Sequence, residues 1–248
     1  MGRNRSQQHK SAVRHLREHI IGGRFAPGER ISELAAVDLL GMSRTPVRLA
    51  LQMLAHEGLL ESRSGGGFVV RDYSIRDMLD AIDLRGVLEG MAARLAAERS
   101  STGLATRALR QIVLETDALL EAEERDGDEV FEGYVELNQA YHAELVKLAS
   151  SPVLERSLDQ VTALPFASPG ALVKASSRQD KNRDILRFGQ FQHRALLDAI
   201  TRGESSRASM IAQEHAQTAA NAIKQLSGSD DIERYLRGSH LVRWEPEA

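Results

Sequence analysis

The stretch whose reading decides the fold is Ser43-Arg44-Thr45-Pro46-Val47-Arg48, which runs on through Leu51, Leu54, Glu57, Gly58 and Leu59. Arg44 and Arg48 stand four apart at a helix start, so both side chains leave the same face. That arrangement suits phosphates and guanine edges in a DNA groove. The helix has two possible beginnings: Ser43 as cap, or Thr45 as cap with Pro46 at the first helical position, where the missing N–H costs nothing. Val47, Leu51 and Leu54 fall on its inward side, and Gly58 ends it.

Working outward, Val13, Leu16, His19 and Ile20 are spaced as one helical face that stops at Gly22-Gly23. A loop with Pro27-Gly28 follows. Ser32 then caps a second helix through Leu40, with Leu34, Ala35, Leu39 and Leu40 expected toward the core, and Gly41-Met42 makes a tight turn. Downstream, 59–63 and 68–72 read as two short strands around Ser64-Gly65-Gly66-Gly67. Consecutive glycines there permit positive φ and let the backbone approach another chain closely. Helix, helix, turn, helix, hairpin describes a winged helix-turn-helix.

The charge distribution agrees. Residues 1–72 hold 11 Lys+Arg against 7 Asp+Glu, while the remainder holds 21 against 28, so a net charge of -3 conceals a basic front and an acidic rear. A basic first domain fits nucleic-acid binding. The chain has 248 residues, 42% of them hydrophobic, which is enough for two packed domains. No cysteine is present, which excludes disulfides, thiolate catalysis and Cys-based zinc sites. The polar start lacks the apolar core of a signal peptide, and no run approaches the roughly 20 apolar residues that span a bilayer. A soluble, cytoplasmic protein is expected.

From Ile75 the sequence changes to long helical patterns rich in Leu, Ala and Glu with no strand signal. Helices are expected at 75–99, 103–126, 128–150, 152–164, 179–202 and 204–227, and six of this length pack most economically as an antiparallel bundle. The fold class is therefore mainly α: a winged helix-turn-helix over 1–73, an all-α helical domain over 74–228, and a tail over 229–248 where Ile232, Tyr235 and Leu236 fit one more short helix.

Three histidines stand out in the helical part. His142 shares a face with Asn138, Leu145 and Ala149; His193 with Leu196, Leu197 and Ile200; His215 with Ile211, Ala219 and Ala222. Each alone reads as a core histidine with a hydrogen-bond partner. Together, three imidazoles aimed inward from three helices are how bundles build metal sites. Three neutral His ligands leave an open face on Zn²⁺, Ni²⁺ or Mn²⁺ for water or a carboxylate. Arg85 stands four before Glu89, the spacing of a helix-surface salt bridge.

These residues resemble the GntR transcription regulators, in the FadR branch whose effector domain is called FCD. The first domain carries the resemblance over about 60 residues, through Pro27-Gly28-Glu29, Ser32 to Ala35, Gly41, Ser43 to Arg48, Ala50-Leu51, Leu54 and Glu57-Gly58-Leu59. The second carries it in Leu84-Arg85, Leu88-Glu89, Asn138 to His142, His193 and His215. The resemblance implies that the helix near Ser43 enters the major groove, with Arg44 and Arg48 on bases or phosphates, Ser43 and Thr45 nearby, and Gly65 and Gly66 of the wing along the duplex. Some relatives place a further arginine where this chain has Leu34. It also implies metal ligation by Asn138, His142, His193 and His215, with Asn138 replacing a common Asp, and an effector-facing role for Arg85. An Asn ligand leaves the ion its full charge, which favours an anionic effector.

The expected function is a homodimeric DNA-binding regulator, a repressor on family grounds, that recognises a palindromic operator and responds to a metal and a small organic acid. Two alternatives share the three histidines: a metal-dependent hydrolase or lyase, which leaves the winged helix unexplained, and a pure metal sensor. Arg14, Arg17, Arg24 and Arg30 are weaker phosphate contacts than the helix-start pair.

Overall fold

The computed structural model describes residues 2–99, 104–122, 127–164, 166–169, 179–226, 236 and 238–244. The chain forms two compact units: Met1–Met78 with Ala163–Phe166 and Arg237–Ala248, and Leu79–Thr162 with Ala167–Leu236.

The first unit contains α1 (Gly2–Ile21), β1 (Arg30–Ile31), α2 (Glu33–Leu40), α3 (Arg44–His56), β2 (Leu60–Ser62), β3 (Phe68–Val70) and β4 (Tyr73–Ser74). Ser32 caps α2 as expected, its Oγ accepting from the Ala35 amide at 3.1 Å, and Gly41 at φ 61° closes the helix. Of the two possible starts for α3, Ser43 holds the cap position in an extended conformation, although its side chain makes no capping bond. Pro46 then lies in the first turn, where an amide has no intrahelical partner to lose. Leu16, Ile20, Ile31, Val47, Leu51, Leu54 and Leu59 are fully buried. Each contributes about 1.5–3 kcal/mol by leaving water.

The hairpin pairs Leu60 with Val70 and Ser62 with Phe68, both antiparallel. β1, too short to leave an alternation in the sequence, adds to it, giving the order β1-β3-β2. The expected core side of α2 needs correcting. Leu34 is 58% exposed and Ala35 is exposed, whereas Ala36 is buried and Leu39 and Leu40 are only partly so. Six of the eight residues of α2 are apolar, so the pattern selects no face.

A second correction concerns the tail. The short helix expected around Ile232 and Tyr235 falls outside the described residues. Ser239–Leu241 forms a single 3-10 turn, and β5 (Val242–Arg243) pairs in parallel with β4, Tyr73 against Val242. Arg243 reaches Asp72 at 3.2 Å and the His240 ring meets the Ile20 carbonyl at 3.0 Å. A strand therefore does occur beyond Ile75, and its partner is distant in sequence.

The second unit is helical: α4 (Ile75–Arg99, its first turn in the first unit), α5 (Arg107–Glu121), α6 (Gly127–Ala149), α7 (Pro152–Thr162), α8 (Gln179–Thr201) and α9 (Ser205–Leu226). α5 is shorter than the expected 103–126, because Leu104 to Thr106 form a turn; Gly103 and 123–126 fall outside the described residues. Leu95, Leu109, Val113, Tyr141, Leu145, Leu196 and Ile200 build the main core, with alanines from α4 and α9 between them. A side chain at Gly86 would begin 2.8 Å from the Ala216 Cβ, and one at Gly90 2.8 Å from Gln213. These two glycines let α4 and α9 approach closely. The inward stripe of α9 is Ala208, Ala212, Ala216, Ala220 and Ile223, one position away from the expected Ile211, Ala219 and Ala222, which are partly buried.

Candidate functional site

Ser43, Arg44, Thr45 and Arg48 are all exposed at the start of α3, and among the described residues no ion pair engages either arginine. Gly65 and Gly66 are exposed at the tip of the hairpin, and Gly66 and Gly67 have φ of 80° and 83°. Arg30 donates to the carbonyls of both Gly65 and Gly66. Arg17 pairs with Glu57, just past the end of α3. These two arginines thus have structural partners, which separates them from the free pair at the helix start.

The other predicted residues converge in the second unit. His142 on α6, His193 on α8 and His215 on α9 place one ring nitrogen each within 4.8 Å of the others. The imidazole centroids of His193 and His215 are 4.6 Å apart, and those of His142 and His215 5.3 Å. Tyr141 stacks on His193 with centroids 4.0 Å apart, and its hydroxyl donates to the His193 carbonyl at 3.0 Å.

Each imidazole has an acceptor beside its Nδ1. His215 faces Gln192 Oε1 at 2.9 Å, His193 faces Gln190 Oε1 at 3.2 Å, and His142 lies 2.8 Å from Glu89 Oε1. The amide of Gln190 is fixed by donation to the Val113 carbonyl and to Asp117, which leaves its oxygen for the histidine. Protons on the Nδ1 atoms of His193 and His215 follow from these neighbours, whereas His142 Nδ1, close to the Glu89 carboxylate, makes no hydrogen bond. The Nε2 atoms of His193 and His215 then carry lone pairs, yet they face one another at 3.2 Å.

Burial, followed by His215 and His142, holds His193 well below the ordinary histidine range. Burial and His142 likewise pull His215 down to about 3, with Glu89 opposing. Both are neutral near pH 7, the form that ligates metal. Burial pushes the Glu89 carboxyl up, but the neighbouring His142 and Arg85 outweigh it and hold it at about 2.

Asn138, 3% exposed, donates through Nδ2 to the Pro169 carbonyl at 2.7 Å, while its Oδ1 has no hydrogen-bond partner. Arg85, 4% exposed, donates through Nη1 to the Ala167 carbonyl at 3.0 Å; its Nε is 3.8 Å from Glu89 Oε2, and neither of those two atoms is hydrogen-bonded. The Arg85–Glu89 pair therefore exists at the spacing read from sequence, but in the interior rather than on the helix surface.

The donor set fits a divalent cation. Two facing imidazole lone pairs at 3.2 Å match the ligand–ligand edge of about 3.3 Å in a tetrahedral zinc site, and Asn138, one turn before His142 on α6, has a buried amide oxygen without a partner. Sequence reasoning missed Glu89, Gln190 and Gln192 as partners of the three rings. The i,i+3 spacing of Gln190 and His193 was the one local signal for them.

Taken together, a winged helix with free arginines at its reading helix and a helical domain with a closed polar centre define a ligand-responsive DNA-binding regulator. Comparison with known proteins gives the family. Residues 8–70 match the family model for bacterial regulatory proteins of the gntR family, and residues 80–218 match the FCD domain. The chain belongs to the GntR family and carries an FCD effector domain.

It is 30% identical over 213 residues, covering 86% of this chain and 87% of the other, to the "Probable D-xylose utilization operon transcriptional repressor" of Paenarthrobacter nicotinovorans. It is 34% identical over 139 residues to the Nta operon transcriptional regulator of Aminobacter aminovorans, covering 56% of this chain and 62% of that one. In fold it resembles the solved structure of E. coli McbR/YncC, at a TM-score of 0.64, 20% identity, and 88% and 98% coverage. The families and relatives are transcriptional regulators rather than enzymes, which sets the hydrolase or lyase alternative aside. Among the described residues no helix is long and apolar enough to cross a membrane.

Proposed function

We propose that this regulator is a homodimeric repressor whose helical domain holds a divalent metal and a small carboxylate effector. Arg44 and Arg48 reach base edges or phosphates from the major groove, Ser43 and Thr45 bond phosphates, and Gly65 and Gly66 bring the wing backbone against the duplex. One such module covers few base pairs, so two copies read a palindrome. In the helical domain His142, His193, His215 and Asn138 hold Zn²⁺, Ni²⁺ or Mn²⁺, and the ion supplies an open coordination position and undiminished positive charge. Arg85 supplies the second anchor for the acid.

The observation that carries this reading is the pair of Nε2 atoms facing at 3.2 Å with each Nδ1 held by an acceptor. Without a cation the two lone pairs repel; with one they become ligands. The repressor role rests on the likeness to the D-xylose operon repressor, whose name states that role.

The test is an operator gel shift with chelated and metal-loaded protein, each with and without a panel of small organic acids. Weaker operator binding by metal-loaded protein only when an acid is added is expected. A response to metal alone, with every acid inert, would establish a metal sensor instead.

A further inference from the structure

The chain passes from the first unit to the second between Phe166 and Ala167. On the second-unit side, two carbonyls of this short segment are held by the residues that flank the histidines: Ala167 O by Arg85 and Pro169 O by Asn138. Both holders are buried, and each has another polar atom without a hydrogen-bond partner, Arg85 Nε and Asn138 Oδ1. Their bonding is incomplete until something else enters.

On the first-unit side, the Phe166 ring is buried and meets Tyr73 edge-on, centroids 5.0 Å apart at 74°. The Tyr73 hydroxyl donates to the Gly58 carbonyl. Gly58, at φ 89°, ends the turn that closes α3, the helix bearing Arg44 and Arg48. Within the second unit Arg85 thus holds the Ala167 carbonyl, and within the first the Phe166 ring meets Tyr73, whose hydroxyl bonds the end of α3; the Phe166–Ala167 peptide bond joins the two sets of contacts.

We propose that residues Phe166 to Pro169 report the state of the histidine centre to α3. This rests on the ligand reading above. An ion that draws in Asn138 Oδ1 turns the same amide whose Nδ2 holds Pro169. A carboxylate that takes Arg85 Nη1 removes the donor from Ala167, whose carbonyl, buried without a partner, drives the segment to re-seat. Phe166 is joined to Ala167 by one peptide bond, so re-seating shifts its ring on Tyr73 and with it the bond to Gly58. Both sites bias one small element that has two arrangements, which is the physical requirement for coupling.

Hydrogen exchange of the full chain, read by mass spectrometry without DNA, tests this. In the wild type, saturating Zn²⁺ should alter exchange both around 167–169 and in peptides spanning Gly58 and Tyr73. Phe166→Leu keeps the apolar bulk but removes the ring pair. It should retain the first response and reduce the second at least about threefold. An undiminished response at Gly58 and Tyr73 in that variant overturns the proposal.

A second arm needs no ligand. Arg85→Met should by itself raise exchange at Gly58 and Tyr73 while peptides of α1 stay unchanged; no change there, or an equal rise everywhere, overturns it. Zinc that leaves α6, α8 and α9 unaltered in the wild type would refute the metal reading alone. The Arg85→Met arm would then decide the role of the segment.

Discussion

Arg44 and Arg48 stand in water with no ion pair among the described residues, whereas Arg85 is enclosed between the Glu89 carboxylate and a backbone carbonyl. Both are arginines on helices, and in the proposed function both meet an anion. On that reading the exposed pair keeps its hydration until DNA arrives, so removing it should cost binding and little stability. The buried one has already lost its water, so its surroundings must be arranged around it, and substitutions there alter folding, ligand affinity and proton uptake together. The comparison breaks if the buried centre tolerates substitution as easily as the surface does.

The largest effect is expected from His193→Ala. Removing a partner of a metal-binding ring typically costs about 10–100-fold in affinity, so removing a ring itself should exceed about 100-fold. Gln192→Leu, which strips the acceptor from His215 Nδ1, should fall within that lower range. Titration of Zn²⁺ against a competing chelator measures both, and a loss under tenfold for His193→Ala would remove it from the ligand set.

Next comes acid. His193 and His215 titrate below the ordinary value near 6.5 in the folded chain, His215 at about 3, but near 6.5 when unfolded. Between these values the unfolded chain binds more protons than the folded one, so stability falls as pH drops below 6.5. At pH 5 the loss from His215 is about 2 kcal/mol, on the order of what full linkage allows, and His193 adds a loss in the same direction. Glu89, held at about 2, adds its own loss only below its unfolded value of 4.5. Calorimetry at pH 7 and pH 5 on metal-free protein, with His215→Gln as reference, isolates the His215 share. Equal pH slopes for the two proteins would contradict it.

Arg48→Ala tests the exposed side. Operator affinity should fall by about 1–3 kcal/mol, as for an arginine on a base edge or a phosphate. The melting temperature should scarcely move, because a surface change without partners stays within about 0.5 kcal/mol. A change in melting temperature without a change in DNA affinity would reverse the assignment.

How much of this was legible beforehand follows the same division. The cap at Ser32, the α3 face of Val47, Leu51 and Leu54, and the hairpin about Gly65 to Gly67 are local events, settled within a few residues of chain. The inward aim of His142, His193 and His215 was also legible, because long helices repeat their pattern often enough to define a face. The partners of those rings were not, since Glu89, Gln190 and Gln192 become acceptors only when α4, α6, α8 and α9 assemble. β1 and β5 escaped because two residues cannot show an alternation. Leu34 and Ala35 were misplaced because α2 is apolar nearly all round.

The smallest expected effect sharpens the comparison at its edge, where Arg30 is exposed but engaged. Its guanidinium holds the carbonyls of Gly65 and Gly66, and a side chain at Gly67 would begin 3.1 Å from its Nε, so it supports the wing from beneath. Exposed hydrogen bonds of this kind contribute about 0.5–1.5 kcal/mol, so Arg30→Ala should weaken operator binding only a few-fold. Arg30→Lys decides why. A lysine keeps the charge but lacks the fork that spans two carbonyls, so a wing support fails in both variants, with the salt dependence of binding unchanged. If Arg30 instead contacts phosphate, Lys restores affinity and Ala lowers the salt slope by about one. Fluorescence anisotropy on operator DNA at three salt concentrations separates the two.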